Sequence, residues 1–151
     1  MSDKLIKIFV SFFYIGEVPW APGTVASLAA VLLYAIVQPV FLIYFVLLLS
    51  VTVLGLFWCT EAERIYGHKD PSGVVIDEVA GMLLACFLMP LDAKVLFVAF
   101  VLFRFFDITK IYPINKLEKC RGGLGIMMDD IMAGIYTNMI MHVAMRWLKI
   151  V

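Results

Sequence analysis

Charge is scarce in this chain. Only 16% of its 151 residues are Asp, Glu, Lys or Arg, and the 12 basic and 12 acidic side chains cancel. No basic excess argues for nucleic acid as a partner. Cysteine is also thin: Cys59, Cys86 and Cys120 form an odd set without metal-ligand spacing and read as packing residues in a reducing or membrane setting. None has an arginine six positions on, so a cysteine-phosphatase nucleophile is excluded. The N-terminal lysines and short apolar run lead into Gly16, Glu17 and Pro19 with no small-residue cleavage site, which argues against a signal peptide.

What is abundant is apolar surface. A hydrophobic share of 64% and a mean hydropathy of +1.00 lie far above soluble usage of ~45–50%. The composition predicts an integral membrane protein, a single domain over residues 1–151. The periodicity predicts an all-α, small membrane helical bundle of about five to six helices, some short or partly embedded. Lys4 to Ile15 reads as an amphipathic surface helix with Leu5, Ile8, Phe9 and Phe12 on one face and Ser2 and Asp3 as possible caps. Val25–Val37 and Val40–Cys59 read as a helical hairpin turning at Gln38-Pro39. Val79–Met89, Lys94–Phe106 and Ile131–Leu148 follow as further apolar segments.

The polar chemistry gathers in three stretches. In Gly16 to Ser27, Pro22 and Gly23 make a turn. There Thr24 either caps the next helix or forms, with Ser27 and free backbone N–H groups, an anion pocket. In Asp70 to Met82, the Pro71-Ser72-Gly73 turn leads to Asp77 and Glu78 at the entrance of an apolar run. Adjacent acids there are costly unless paired or bound to a cation. In Arg104 to Gly134, Arg104, Asp107 and Lys110 recur every three residues and would share a helix face. Asp129 and Asp130 follow a glycine-rich approach at Gly122, Gly123 and Gly125. They either cap the final helix or, with Asp107, ligate a hard cation such as magnesium. His68 reads as exposed.

Placing the three stretches on one side puts nine of the 12 basic residues there and leaves Lys94, Arg146 and Lys149 opposite. The positive-inside tendency makes the shared side cytoplasmic. One site built from three loops then accounts for all three stretches. A cation channel or transporter is the rival class, but its acids should lie mid-helix, not beside glycine turns. The aspartates spaced four apart that serve CDP-alcohol transfer are missing, and Val74 stands where histidine-dependent lipid phosphatases want histidine.

Together PWAPGTVAS, GVVIDEVAGM and FRFFDITKIYPI…GGLGIMMDDIMAG resemble the phosphatidylglycerophosphatase A family, over roughly Gly16 to Gly134. Ala26 stands where the family usually has glycine, and Ile111 where proline usually follows the lysine. The resemblance implies a bacterial inner-membrane, multi-pass enzyme with its site facing the cytoplasm. Such an enzyme removes the terminal phosphate of phosphatidylglycerophosphate, a phospholipid substrate in the bilayer, with Mg2+. It implies that Thr24, Arg104 and Lys110 face phosphate and that the acids are Asp77, Glu78, Asp107, Asp129 and Asp130. The mechanism it suggests is metal-assisted hydrolysis, with Asp77, Asp107, Asp129 and Asp130 as metal ligands and Glu78 as ligand or base. Arg104 and Lys110 would neutralise phosphoryl oxygens, and water attack and an aspartyl-phosphate intermediate stay equally open.

Overall fold

A computed structural model describes residues 2–148. Among them there are seven α-helices and no strand: α1 (Asp3–Val10), α2 (Pro22–Val37), α3 (Phe41–Tyr66), α4 (Ile76–Ala85), α5 (Ala93–Thr109), α6 (Ile114–Leu117) and α7 (Gly123–Leu148). A short 3-10 turn, Ile15–Glu17, stands between α1 and α2. The all-α expectation holds, with the single turn of α6 added. Lys149, assigned above to the far side, lies outside the described residues.

Local chemistry sets most of the helix ends. Pro22 occupies the first position of α2, where its missing N–H costs nothing. Pro39 separates α2 from α3, and Gly67 at φ 78° closes α3. Asp92 caps α5, its Oδ1 accepting from the N–H groups of Lys94 at 2.9 Å and Val95 at 3.0 Å. Three expectations are corrected. First, α1 stops at Val10 because Phe12, Phe13 and Tyr14 all take positive φ, and it turns Ile6 and Val10 inward while Leu5 is exposed. Ser2 holds its N-cap position without a side-chain bond. Second, α2 starts before Thr24, so its N-cap is Ala21 and Thr24 caps nothing. Third, α7 starts at Gly123, so Asp129 and Asp130 sit in its second turn and neither is a cap.

The short α4 is the hub. Its 10 residues are mostly buried, and at ~1.5 Å rise per residue it reaches about half of a ~30 Å hydrocarbon core. A helix that ends inside an apolar bundle exposes carbonyls that need donors. Four side chains supply them. The Tyr44 hydroxyl donates to the Leu83 carbonyl at 2.6 Å, and the Tyr34 hydroxyl donates to that of Met89. The Asn138 amide donates to Ala85 at 3.1 Å and to Phe87 at 2.8 Å, and the His142 Nε2 meets the same Phe87 oxygen at 3.1 Å. At the other end of α4, the Val75 N–H donates to the Val10 carbonyl at 2.9 Å, which ties α1 to its start.

Around this hub the outer helices turn apolar side chains outward. Leu28, Leu32 and Ile36 on α2, Leu42, Val46 and Phe57 on α3, and Phe97 and Val101 on α5 are all exposed. Among the described residues one helix, α3, is long and apolar enough to cross a membrane, and little of its apolar stretch is buried inside the protein. An apolar surface of this extent fits a membrane-associated protein.

Candidate active site

Two helices bring the central acids together by the same device. α4 carries Asp77 four residues before Gly81, and α7 carries Asp130 four residues before Gly134, within the matching segments DEVAG and DIMAG. A Cβ on Gly134 would run into the Gly81 backbone, and one on Gly81 would run into the Asp130 carbonyl and the Phe103 ring. The helices therefore touch backbone to backbone at the glycines. Residues four apart share a helix face, so Asp77 and Asp130 meet one turn above the contact. Glu78, also on the first turn of α4, joins them, and carboxylate oxygens of Asp77, Glu78 and Asp130 lie within 4.8 Å of one another.

The remaining polar groups form a surround. Asp107, on the last turns of α5, lines the same cleft as Asp130 and lies 2.6 Å from Nη1 of Arg104. The Arg104 guanidinium and the Glu78 carboxylate both press on Gly23 at the start of α2, where a side chain would displace them. Lys110 follows α5 in the left-handed conformation, φ 45°. Its Nζ stands 3.0 Å from Asp129 Oδ2 and 3.0 Å from Glu118 Oε1. Burial works against the charge of Lys110, yet its bonds to Glu118 and Asp129 outweigh that and raise its pKa above the ordinary lysine value. Asp129 Oδ1 also accepts the N–H of Asp130 at 3.1 Å.

The result is a cleft of about 300 Å³ lined by Asp77, Glu78, Asp107, Lys110, Asp129 and Asp130, with Pro22, Asp70, Pro71, Ser72 and Val74 completing it. Seven of the nine residues singled out in the sequence thus belong to one locality. Thr24 and Ser27 do not line the cleft. Ser27 is buried and its hydroxyl donates to the Gly23 carbonyl at 2.8 Å. The glycines at the start of α7 serve packing: Gly123 lies against the Leu56 carbonyl and donates its N–H to Thr60 Oγ1 at 2.7 Å. Reading the sequence residue by residue missed Gly23, Gly81, Gly134 and Glu118. The twice-written D-x-x-A-G was the available signal for two of them.

The donor set suits a hard cation. Asp77 Oδ1 and Glu78 Oε2 are buried with no hydrogen-bond partner among the described residues, so two of the cluster's carboxylates keep unspent acceptor capacity. Six carboxyl groups line the cleft against one lining cation, Lys110, with Arg104 beside it, and each of these two cations is already engaged with an acid. An all-oxygen cluster short of positive charge fits magnesium, which is commonly held by a few carboxylates plus substrate phosphate oxygens.

The sequence profile of the family described as Phosphatidylglycerophosphatase A matches residues 8–145, which takes in every element of the cleft. The chain belongs to the phosphatidylglycerophosphatase A family. Two relatives bearing the name Phosphatidylglycerophosphatase A come from Haemophilus influenzae, 35% identical over 95% of this chain and 90% of the relative, and Escherichia coli, 33% identical over 84% and 76%. A third, from Bacteroides thetaiotaomicron and named "Putative phosphatidylinositol-3-phosphatase", is 36% identical over 87% of each chain. No solved structure matches this member of the family.

Proposed function

We propose that this protein hydrolyses the terminal phosphate monoester of phosphatidylglycerophosphate, giving phosphatidylglycerol and phosphate, in a magnesium-dependent reaction at the cytoplasmic face of a bacterial inner membrane. One observation carries the reading beyond family membership: the buried, unpartnered oxygens of Asp77 and Glu78, brought against Asp130 by the glycine contact. Asp77, Glu78 and Asp130 are the direct ligands this geometry favours. Asp107 and Asp129 complete the acid set and hold Arg104 and Lys110 beside it. Magnesium held by these residues would supply charge stabilisation for the phosphoryl group and would acidify the attacking water.

The chain's own groups orient the reaction. Arg104 presents a planar fork to phosphoryl oxygens, and Lys110, fixed between two carboxylates, presents a point charge. Glu78 stands at the α2 side of the cluster, next to Arg104, and is the carboxylate that would take the proton of an attacking water in the alternative where it is not a ligand. The acids lie at one end of their helices, in the first turn of α4 and about two turns into α7. That placement favours hydrolysis at a surface over a transport path through the bundle. The proposed topology is multi-pass, with the N-terminal segment, the α3–α4 connection and the α5–α7 connection on the cytoplasmic side.

The test is phosphate release by purified protein from phosphatidylglycerophosphate, with magnesium and after chelation. Release that depends on the metal is expected, and undiminished turnover after complete metal removal would sink the mechanism. The name of the Bacteroides relative motivates a parallel assay on phosphatidylinositol 3-phosphate. Faster release from that lipid would move the substrate assignment without moving the chemistry.

A further inference from the structure

The end of the bundle away from the acids carries a cavity of about 530 Å³ that no step above uses. Its polar lining is Gln38, from the α2–α3 connection, with His142 and Arg146 of α7. Those last two stand four residues apart and share a helix face. Leu88, Met89 and Met145 supply apolar walls. At ~1.5 Å rise per residue, Arg146 lies about 24 Å along α7 from Asp130, most of the depth of a ~30 Å hydrocarbon core. Trp147 beside it is exposed, and tryptophan gathers at membrane–water interfaces. The cavity and the acid cleft thus belong to opposite faces of the membrane.

The lining suits an anion. None of the ion pairs among the described residues includes Arg146, and no Asp or Glu lines the cavity. The acid of the neighbouring connection, Asp92, is spent on the start of α5, where it accepts from Lys94 and Val95. The His142 Nε2 meets the Phe87 carbonyl, which fixes that ring as part of the wall. A guanidinium fork and the amide N–H groups of Gln38 are then the donors left for a phosphate oxygen. Complementing the α7 dipole would explain a cation in the last turn. It would not explain an open cavity between that cation and a second donor from another connection.

The flanks suit a lipid. Ile36 and Val40, on either side of Gln38 in the chain, and Leu88 and Leu91, beyond α4, are all exposed. Acyl chains can lie on such a surface while the phosphate sits in the cavity. A headgroup ammonium would find no carboxylate there, which selects against a zwitterionic lipid.

We propose that this cavity binds the phosphodiester headgroup of an anionic phospholipid in the leaflet opposite the acid cleft, with Arg146 and Gln38 as donors. The assignment rests on the membrane-spanning orientation proposed above and on no catalytic step.

The test is native mass spectrometry of the full-length protein in neutral detergent with a chelator, titrated with phosphatidylglycerol, phosphatidylethanolamine and inorganic phosphate. Phosphatidylglycerol should be retained ~10-fold or more tighter than phosphatidylethanolamine, the worth of one hydrogen bond to a charged group, and excess inorganic phosphate should not displace it. Arg146→Gln should bring that preference to within about twofold, and Gln38→Leu, which serves alone should the first variant fail to fold, should lower it about threefold or more. Lys94→Gln removes a cation at the same end of the bundle but outside the cavity, and should keep the preference. Equal retention of both lipids by the unaltered protein, a preference untouched by both cavity variants, an equal loss in Lys94→Gln, or displacement by phosphate alone overturns the lipid site. Because the protein is held free of metal, the result stands whether or not phosphatidylglycerophosphate is hydrolysed.

Discussion

Gly81 and Gly134 meet backbone to backbone, and that contact sets Asp77 of α4 beside Asp130 of α7. A methyl group at Gly134 has only the Gly81 backbone to displace, so the two helices must separate to admit it. Gly134→Val should cost ~1–3 kcal/mol of stability as an overpacking substitution. Because reacting groups misplaced by ~1 Å lose about 100-fold in rate, activity should fall by at least that much even where the variant stays folded. Melting in detergent together with phosphate release checks both parts. A variant of full activity would show that the glycine contact does not set the site.

That relationship also marks how far the sequence could be read. The three polar stretches, their shared side and the all-helical architecture follow from apolar run lengths and from where charge interrupts them. The acids were visible because carboxylates are conspicuous in so apolar a chain. Which acids touch was not visible. That depends on the register of α4 against α7, and the backbone contact which fixes it leaves only two glycines in the sequence. The capping reading of the Asp129-Asp130 pair failed for a related reason: Gly122, Gly123 and Gly125 look like a loop, but Gly123 and Gly125 are helical, Gly122 and Gly123 let the start of α7 lie against α3, and Gly125 lies on the Cys120 and Glu118 carbonyls. Thr24 and Ser27 read as a phosphate cradle because helix starts commonly are one. The helix begins two residues earlier, at Pro22, and takes Ser27 into its own carbonyl bonding.

The capped end of α4 predicts a stability effect separable from catalysis. Asn138 donates to both the Ala85 and Phe87 carbonyls at the end of the bundle away from the acids. Asn138→Leu keeps the volume and removes the donors. Leaving buried carbonyls unsatisfied costs ~1–3 kcal/mol, so the melting temperature should drop while turnover at a permissive temperature changes little. A loss of turnover with unchanged melting would contradict the structural role.

Topology can be checked by labelling. Cys120 is exposed, while Cys59 and Cys86 are buried, so a Cys120→Ser background makes the surface silent. Single cysteines at Lys69 and Lys116 should then react with an impermeant reagent from one face of the membrane, and one at Asp92 from the opposite face. Reaction of Lys69 and Lys116 variants from opposite faces would dismantle the single-site arrangement, because Lys69 Nζ donates to the Glu118 carbonyl at 3.1 Å.

Asp129 and Asp130 are neighbours with different surroundings, and asparagine distinguishes them. Consecutive helical residues point ~100° apart, and here Asp130 faces Asp77 and Glu78 while Asp129 faces Lys110. Asp130→Asn removes one of the three charges that cation binding relies on, so turnover should fall by at least ~100-fold. It also relieves crowding of buried carboxyls around Asp107, so thermal stability in the absence of metal should hold or rise. Asp129→Asn leaves the cluster intact and costs Lys110 one of its two anionic partners, with Glu118 remaining. The expected loss is smaller, about 10-fold, and should fall mainly on substrate binding if Lys110 faces the phosphate. Raising magnesium should partly restore Asp130→Asn, whose defect is weakened cation binding, and should do nothing for Asp129→Asn. Equal losses in both variants with equal magnesium response would make both residues ligands and leave Lys110 without its assigned role. Near-normal activity in both and in the double variant would move the metal site to Asp77, Glu78 and Asp107.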